Sequence, residues 1–177
     1  NMTYIVMDNQ IYGLTKGQTS PSSAKGFVTK STPKGNIEKN VAPLELALSS
    51  GATFVAQGFS SDIKALTKMI EDAIHHDGFS FVNVFSPCVT YNKVNTYDWF
   101  KEHLTSIDDI EGYDNTDKQL AMKTVLDHES LVKGIVYQDT TTPSYESQIS
   151  ELEHEALAKR DIHITEETFN DLTAQFL

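Results

Sequence analysis

Three short apolar runs, residues 3–7, 53–56 and 79–85, constrain this chain more than anything else in it. Each is rich in aliphatic and aromatic β-formers and too short for a stable helix, which is the pattern of strands buried on both faces of a parallel sheet. Turn residues close the first run at Asp8-Asn9 and the third at Ser86-Pro87-Cys88. Between the second and third, Ile63, Leu66, Ile70, Ala73 and Ile74 recur at helical spacing with Met69 beside them, Ser60 or Ser61 can cap the start, and Gly78 supplies the turn at the end. Pro43 sits where a first helical turn tolerates it, ahead of Leu44, Leu46 and Leu48 and a stop near Gly51. The order strand, loop, helix, strand, helix, strand predicts an α/β domain with a parallel sheet.

Past residue 91 the regularity falls. Residues 97–106 and 117–128 read as helices, 134–137 as a short strand, 146–160 as a polar surface helix, and 165–177 as an acidic helix with Phe169, Leu172 and Phe176 on one face. This divides the chain into a sheet domain over 1–91 and an appendage over 92–177. No apolar run approaches the roughly 20 residues of a membrane span, no signal-peptide pattern opens the chain, and a single cysteine, Cys88, excludes an internal disulfide framework. These features predict a soluble, cytoplasmic protein without membrane contact.

The formal charge of −11 is unevenly spread: residues 1–41 carry five lysines against Asp8 and Glu38, a net of +3, and the remainder carries −14. An acidic body argues against a nucleic-acid surface, which needs a basic stripe for phosphates. The basic first segment suits a small phosphorylated ligand, although on charge alone a solvated lysine-rich loop is the plainer account. Residues 13–40 are Gly, Pro, Ser, Thr and Lys with almost no apolar periodicity, a loop of a length that is usually functional or disordered.

Generic motifs leave the activity open. Neither G-x-G-x-x-G nor a P-loop nor G-x-S-x-G occurs, and the six histidines have no zinc-like spacing with Cys88. His75-His76 reads as a helix end that suits the dipole. The ungeneric stretch is Asp8 to Gln18, directly after the first strand, where ligands of open α/β sheets bind. The Asn9 amide oxygen there, with a main-chain oxygen such as that of Ile11, is a hard-cation donor set of the kind Mg²⁺ shares with substrate phosphates. On the residues alone, Asn9 reads first as a turn residue and Gly13 as a turn glycine.

The string Tyr-Ile-Val-Met-Asp-Asn-Gln-Ile-Tyr-Gly-Leu-Thr-Lys-Gly-Gln-Thr-Ser-Pro (4–21) resembles the β subunit of 2-oxoacid:ferredoxin oxidoreductases, particularly the 2-oxoglutarate type. The likeness continues through Gln57-Gly58-Phe59 and through Phe85-Ser86-Pro87-Cys88-Val89-Thr90-Tyr91-Asn92, and weakens towards the C-terminus. The resemblance implies part of a doubly wound, mainly parallel thiamine-diphosphate-binding fold with a helical appendage. It implies that Asn9 and the Ile11 carbonyl bind Mg²⁺ and thiamine diphosphate, that Leu14 lies beside the thiamine, that Lys16 is associated with coenzyme A, and that Cys88 is one ligand of a [4Fe–4S] cluster. Without it, Cys88 reads as a small buried hydrophobe. The partners it implies are an α (or γ/α) subunit, ferredoxin, coenzyme A and a 2-oxoacid.

The family pattern also contains a Gly-Asp-Gly motif ahead of the asparagine and three further cluster cysteines, none of which this sequence holds. It therefore reads as the C-terminal portion of a β subunit, expected to be inactive alone and stable only beside the missing portion or an α subunit. The competing expectations are a non-catalytic fragment or interaction module that keeps the fold, and a pyruvate-specific relative; Ser86-Pro87-Cys88 and the Thr-Lys-Gly-Gln run count against a simple thiamine decarboxylase.

Overall fold

The structure, a computed structural model, describes residues 1–152, 155, 157–161, 163–174 and 176. They fall into two compact units, Asn1–Ser144 and Tyr145–Leu177.

The first unit is built on a five-stranded sheet in the order β1-β3-β2-β5-β4, formed by β1 (Met2–Asp8), β2 (Phe54–Phe59), β3 (Phe79–Phe85), β4 (Thr105–Ser106) and β5 (Val132–Gln138). The strands β1, β3 and β2 run parallel, as the apolar runs predict, β5 is antiparallel to β2, and β4 is parallel to β5. Side chains alternate across the sheet, so each face receives its own helices. On one face α1 (Pro43–Ser49) and α4 (Lys118–Asp127) bury Leu44, Leu48, Ala121 and Val125 against Val55, Phe81, Val132 and Val136. On the other, α2 (Ile63–His75) buries Met69 and Ala73 against Phe54, Ala56, Val82 and Val84. Helices on both faces of a mainly parallel sheet are the doubly wound arrangement. A third cluster covers the carboxyl ends of β2 and β3: Phe59 and Phe85 pack on Phe100 of α3 (Tyr97–His103), the Phe85 and Phe100 rings stacking at 4.5 Å.

Some expectations are corrected. The cap of α2 is Asp62, which accepts from the Ala65 amide at 3.4 Å, and Ser60 instead meets the Tyr97 hydroxyl at 3.2 Å. The strands β4 and β5 and the helix α4, which follow residue 91, complete the sheet and core of the first compact unit. The helix expected over 146–160 is replaced among the described residues by short 3₁₀ turns at Glu146–Gln148, Ser150–Leu152 and Leu157–Lys159, since the segment carries too sparse an apolar stripe to stabilise an α-helix by docking. In the same unit α5 (Glu166–Ala174) forms within the expected helix, residues 175 and 177 of which lie outside the described residues. Among the described residues, no helix is long and apolar enough to cross a membrane.

Candidate functional site

The register of the sheet sets the site. Asp8 pairs with Phe85 at the carboxyl ends of adjacent parallel strands, and the Ser86 amide donates to the Asp8 carbonyl at 2.8 Å. The two ungeneric strings of the sequence, 8–18 and 85–92, therefore leave the sheet side by side. The first makes a sharp turn at Gln10, whose φ is +57°. The Asp8 carboxylate accepts from the Gln10 amide at 3.0 Å and the Asn9 side-chain oxygen accepts from the Ile11 amide at 3.1 Å. Ile11 is buried and fastens the turn to the body of the domain.

A small hairpin follows. Tyr12 and Gln18 form an isolated antiparallel bridge, the Gly17 amide donates to the Tyr12 carbonyl at 3.0 Å, and Gly17 takes a φ of +92°. The hairpin lies against the second string. A β-carbon on Gly13 would stand 3.2 Å from the Cys88 sulfur and one on Gly17 3.1 Å from the Tyr91 ring, so these glycines let the two segments approach.

Of the residues singled out from sequence, Asn9 and Cys88 meet beside Gly13, and Ile11 is joined to them by the bond from its amide to Asn9. Leu14 and Lys16 stand at the exposed tip of the hairpin, Leu14 99% exposed and Lys16 with a φ of +72°. A cleft of about 640 Å³ opens beside the turn, with Asn9, Ile11 and Tyr12 at one end and Val6, Leu46 and Phe81 along its apolar wall.

Sequence reading missed the residues that hold this turn. Asp8 is buried, and burial pushes its carboxyl pKa up against the opposing hydrogen bonds from Ser22, Gln10 and Asn83. Ser22 donates to it at 2.7 Å, and Ser23 donates to the Gln10 carbonyl at 2.7 Å. The long loop is thus ordered through side-chain hydroxyls. Asn36, buried within it, donates to the Ser23 carbonyl at 3.1 Å. The available signal was the Ser20-Pro21-Ser22-Ser23 string, whose hydroxyls suit turn-closing bonds.

The donors fit a Mg²⁺–diphosphate group in part. Asn9 and the Ile11 carbonyl offer two neutral oxygens, and a carboxamide oxygen that accepts one hydrogen bond retains a second lone pair for a cation. Among the described residues no cluster of three His, Cys, Asp or Glu side chains stands ready to hold a metal unaided. A [4Fe–4S] cluster takes four ligands and this sequence has one cysteine, so its own residues supply at most one of them.

Comparison with known proteins places the chain. Residues 1–84 match the family model of the thiamine pyrophosphate enzymes' C-terminal TPP-binding domain, and residues 88–154 match that of the C-terminal region of the pyruvate ferredoxin oxidoreductase β subunit. The fold is accordingly that of a thiamine-pyrophosphate-binding enzyme domain. A 2-oxoacid:ferredoxin oxidoreductase β subunit from a Sulfolobus species is 39% identical over 159 residues, covering 84% of this chain and 52% of the relative. The 2-oxoglutarate oxidoreductase subunit KorB of Mycobacterium tuberculosis is 44% identical over 92 residues, covering 52% of this chain and 25% of that one. A solved 2-oxoglutarate:ferredoxin oxidoreductase from Magnetococcus marinus, with 2-oxoglutarate, coenzyme A and succinyl-CoA bound, superposes with a TM-score of 0.83 at 33% identity, covering 97% of this chain and 58% of its own. The chain belongs to the β-subunit family of the 2-oxoacid:ferredoxin oxidoreductases. It spans about half the length of the curated relatives it matches.

Proposed function

We propose that this chain forms part of the β subunit of a cytoplasmic 2-oxoacid:ferredoxin oxidoreductase that converts 2-oxoglutarate or a related 2-oxoacid, with coenzyme A, to the acyl-CoA and passes the electrons to ferredoxin. The observation that carries this reading is the turn at the end of β1, which offers the Asn9 side chain and the Ile11 carbonyl while Cys88 stands behind the same loop. In this reading thiamine diphosphate, held through Mg²⁺, supplies the electron sink for decarboxylation of the 2-oxoacid.

Each residue of the loop then has a task. Asn9 and Ile11 hold two positions of the metal's oxygen shell. Leu14, an apolar side chain almost fully exposed at the hairpin tip, covers the thiamine and excludes water where the parts of the site assemble. Lys16 gives the tip a cation for the phosphates of coenzyme A, in the segment of the chain with net positive charge. Cys88 gives one thiolate to the [4Fe–4S] cluster, and its place against Gly13 ties that ligand to the cofactor turn. The remaining metal and cluster ligands come from residues outside this sequence, together with the α (or γ/α) subunit.

The test is the complete oxidoreductase complex, with thiamine and iron quantified on one sample and visible absorbance recorded. Asn9→Ala is expected to weaken Mg²⁺-dependent thiamine diphosphate binding by about tenfold or more, and Cys88→Ala to abolish the cluster absorbance while thiamine binding persists. A complex containing neither thiamine nor iron would overturn the proposal and leave the chain as a non-catalytic module of the same fold. Turnover of pyruvate in preference to 2-oxoglutarate would overturn the substrate assignment alone.

A further inference from the structure

Gln10 stands between the two residues proposed as magnesium ligands, and its φ of +57° lies in the left-handed region that disfavours any residue with a β-carbon. Such a conformation persists only where the surroundings over-determine it. Here they do. The Asp8 side-chain oxygen accepts from the Gln10 amide at 3.0 Å, and the Ser23 hydroxyl donates to the Gln10 carbonyl at 2.7 Å, so both polar groups of the residue's backbone are engaged. The groups doing this are themselves fixed. Ser22 donates to the same Asp8 oxygen at 2.7 Å, the Ser20 amide donates to the Ser23 hydroxyl at 2.9 Å, and Asp8 and Ser23 are 7% and 0% exposed.

We propose that Asp8, Ser22 and Ser23 are positioning residues. They form a clasp by which the loop at 20–23 reaches back over the end of β1, locks Gln10 left-handed and so aims the Ile11 carbonyl to the side on which Asn9 stands. The inference rests on the reading that Asn9 and Ile11 bind the Mg²⁺–diphosphate group. The backbone angles of Gln10 set the direction of everything that follows relative to Asn9. If the clasp is released, Gln10 relaxes toward ordinary angles and the two oxygens part before any metal arrives. None of the three residues needs to touch the cofactor.

The experiment uses the complete complex, stripped of cofactor and reloaded, with thiamine diphosphate affinity measured by calorimetry in saturating Mg²⁺. Ser23→Ala and Asp8→Ala are each expected to weaken binding by about 3- to 10-fold, the scale of one or two hydrogen bonds. Asp8→Asn keeps the accepting oxygen and stays within about twofold of wild type. The decisive variant is Gln10→Gly, which adopts the left-handed conformation without steric cost. Combined with Ser23→Ala it should recover most of the lost affinity, whereas a loss caused by general damage would not be rescued.

A second readout needs no cofactor: exchange of the Ile11 amide proton, bonded to Asn9, should quicken in Ser23→Ala and slow again in the double variant. Ser22→Ala removes the bond to Asp8 and a longer one shared with the Ser20 hydroxyl at 3.3 Å, and it serves where Asp8→Ala fails to fold, with an expected loss in the same range. Wild-type affinity in the serine variants, or no rescue by glycine, overturns the clasp while a loss in Asn9→Ala keeps the cofactor reading intact. Unaltered binding in Asn9→Ala overturns both.

Discussion

Gln57 and Asn83 interrupt two otherwise apolar strands, and their burial is made tolerable by each other. The Asn83 amide donates to the Gln57 carbonyl at 2.8 Å, while the Gln57 amide donates to the carbonyls of Ser130 and Val132, both at 2.7 Å. Gln57 is therefore a polar rivet between β2, β3 and the turn into β5. Gln57→Leu keeps the volume and removes all three of these hydrogen bonds, so it should lower stability by about 2–4 kcal/mol, read as a shift in the denaturant midpoint. Gln57 stands out in the sequence only as part of the Gln57-Gly58-Phe59 likeness and Asn83 not at all, because an isolated amide in an apolar run looks the same whether it faces solvent or is buried and paired. The same blindness hid Asp8 and Ser23: the string after β1 pointed to Asn9 and Ile11 through its resemblance, but the residues that brace them lie across a turn and, for Ser23, in a separate part of the long loop.

At the scale of elements, α2 lies on β2 at a glycine. A β-carbon on Gly58 would stand 2.7 Å from a methyl carbon of Leu66, with the Met69 sulfur at 3.4 Å. Gly58→Ala must displace the Leu66 side chain or the helix, at about 1–3 kcal/mol, and Leu66→Ala in the same chain should return part of that loss. A double-mutant cycle on thermal midpoints measures this coupling directly. The strand β3 was fully legible because every position from 79 to 85 but Ser80 and Asn83 is apolar or aromatic, and it forms over Phe79–Phe85 as expected. By contrast β5 was only glimpsed as 134–137. Lys133 and Gln138 blur its ends, Gly134 sits at a φ of +129° against Ile107, and its antiparallel direction depends on which strand it meets rather than on its own residues.

For the whole molecule, two features govern behaviour in solution. The long edge of the sheet is β1, and Met2, Tyr4, Ile5 and Met7 on it are exposed, which makes it a template for pairing with another strand. The chain on its own is expected to self-associate, and Met7→Lys should reduce its light scattering at a given concentration. His76 is the other feature. It is buried beside Phe54, with a ring nitrogen 2.8 Å from the Thr53 hydroxyl, and burial lowers its pKa against the opposing pull of Asp77 and Asp139. The unfolded chain therefore takes up the proton first, so stability falls as pH drops below the ordinary histidine value of 6.5 and is unaffected by this group above it. Comparing denaturation midpoints at several pH values, His76→Gln should show a shallower acid slope than wild type.

The reversed direction of β5 also decides where the polypeptide departs. Its first residues join the turn at Ser130 and Val132 near Gln57, while its end is fastened at the opposite rim, where the Asp139 amide donates to the Thr53 carbonyl at 2.7 Å. Beyond it, Thr141 and Thr142 fold back on the Asp139 carboxylate at the surface. A fluorophore, affinity handle or inserted peptide placed at Thr140 would thus sit at the rim remote from the Asn9 turn, giving an attachment point from which assembly of the proposed complex could be followed without obstructing the turn proposed to hold the cofactor.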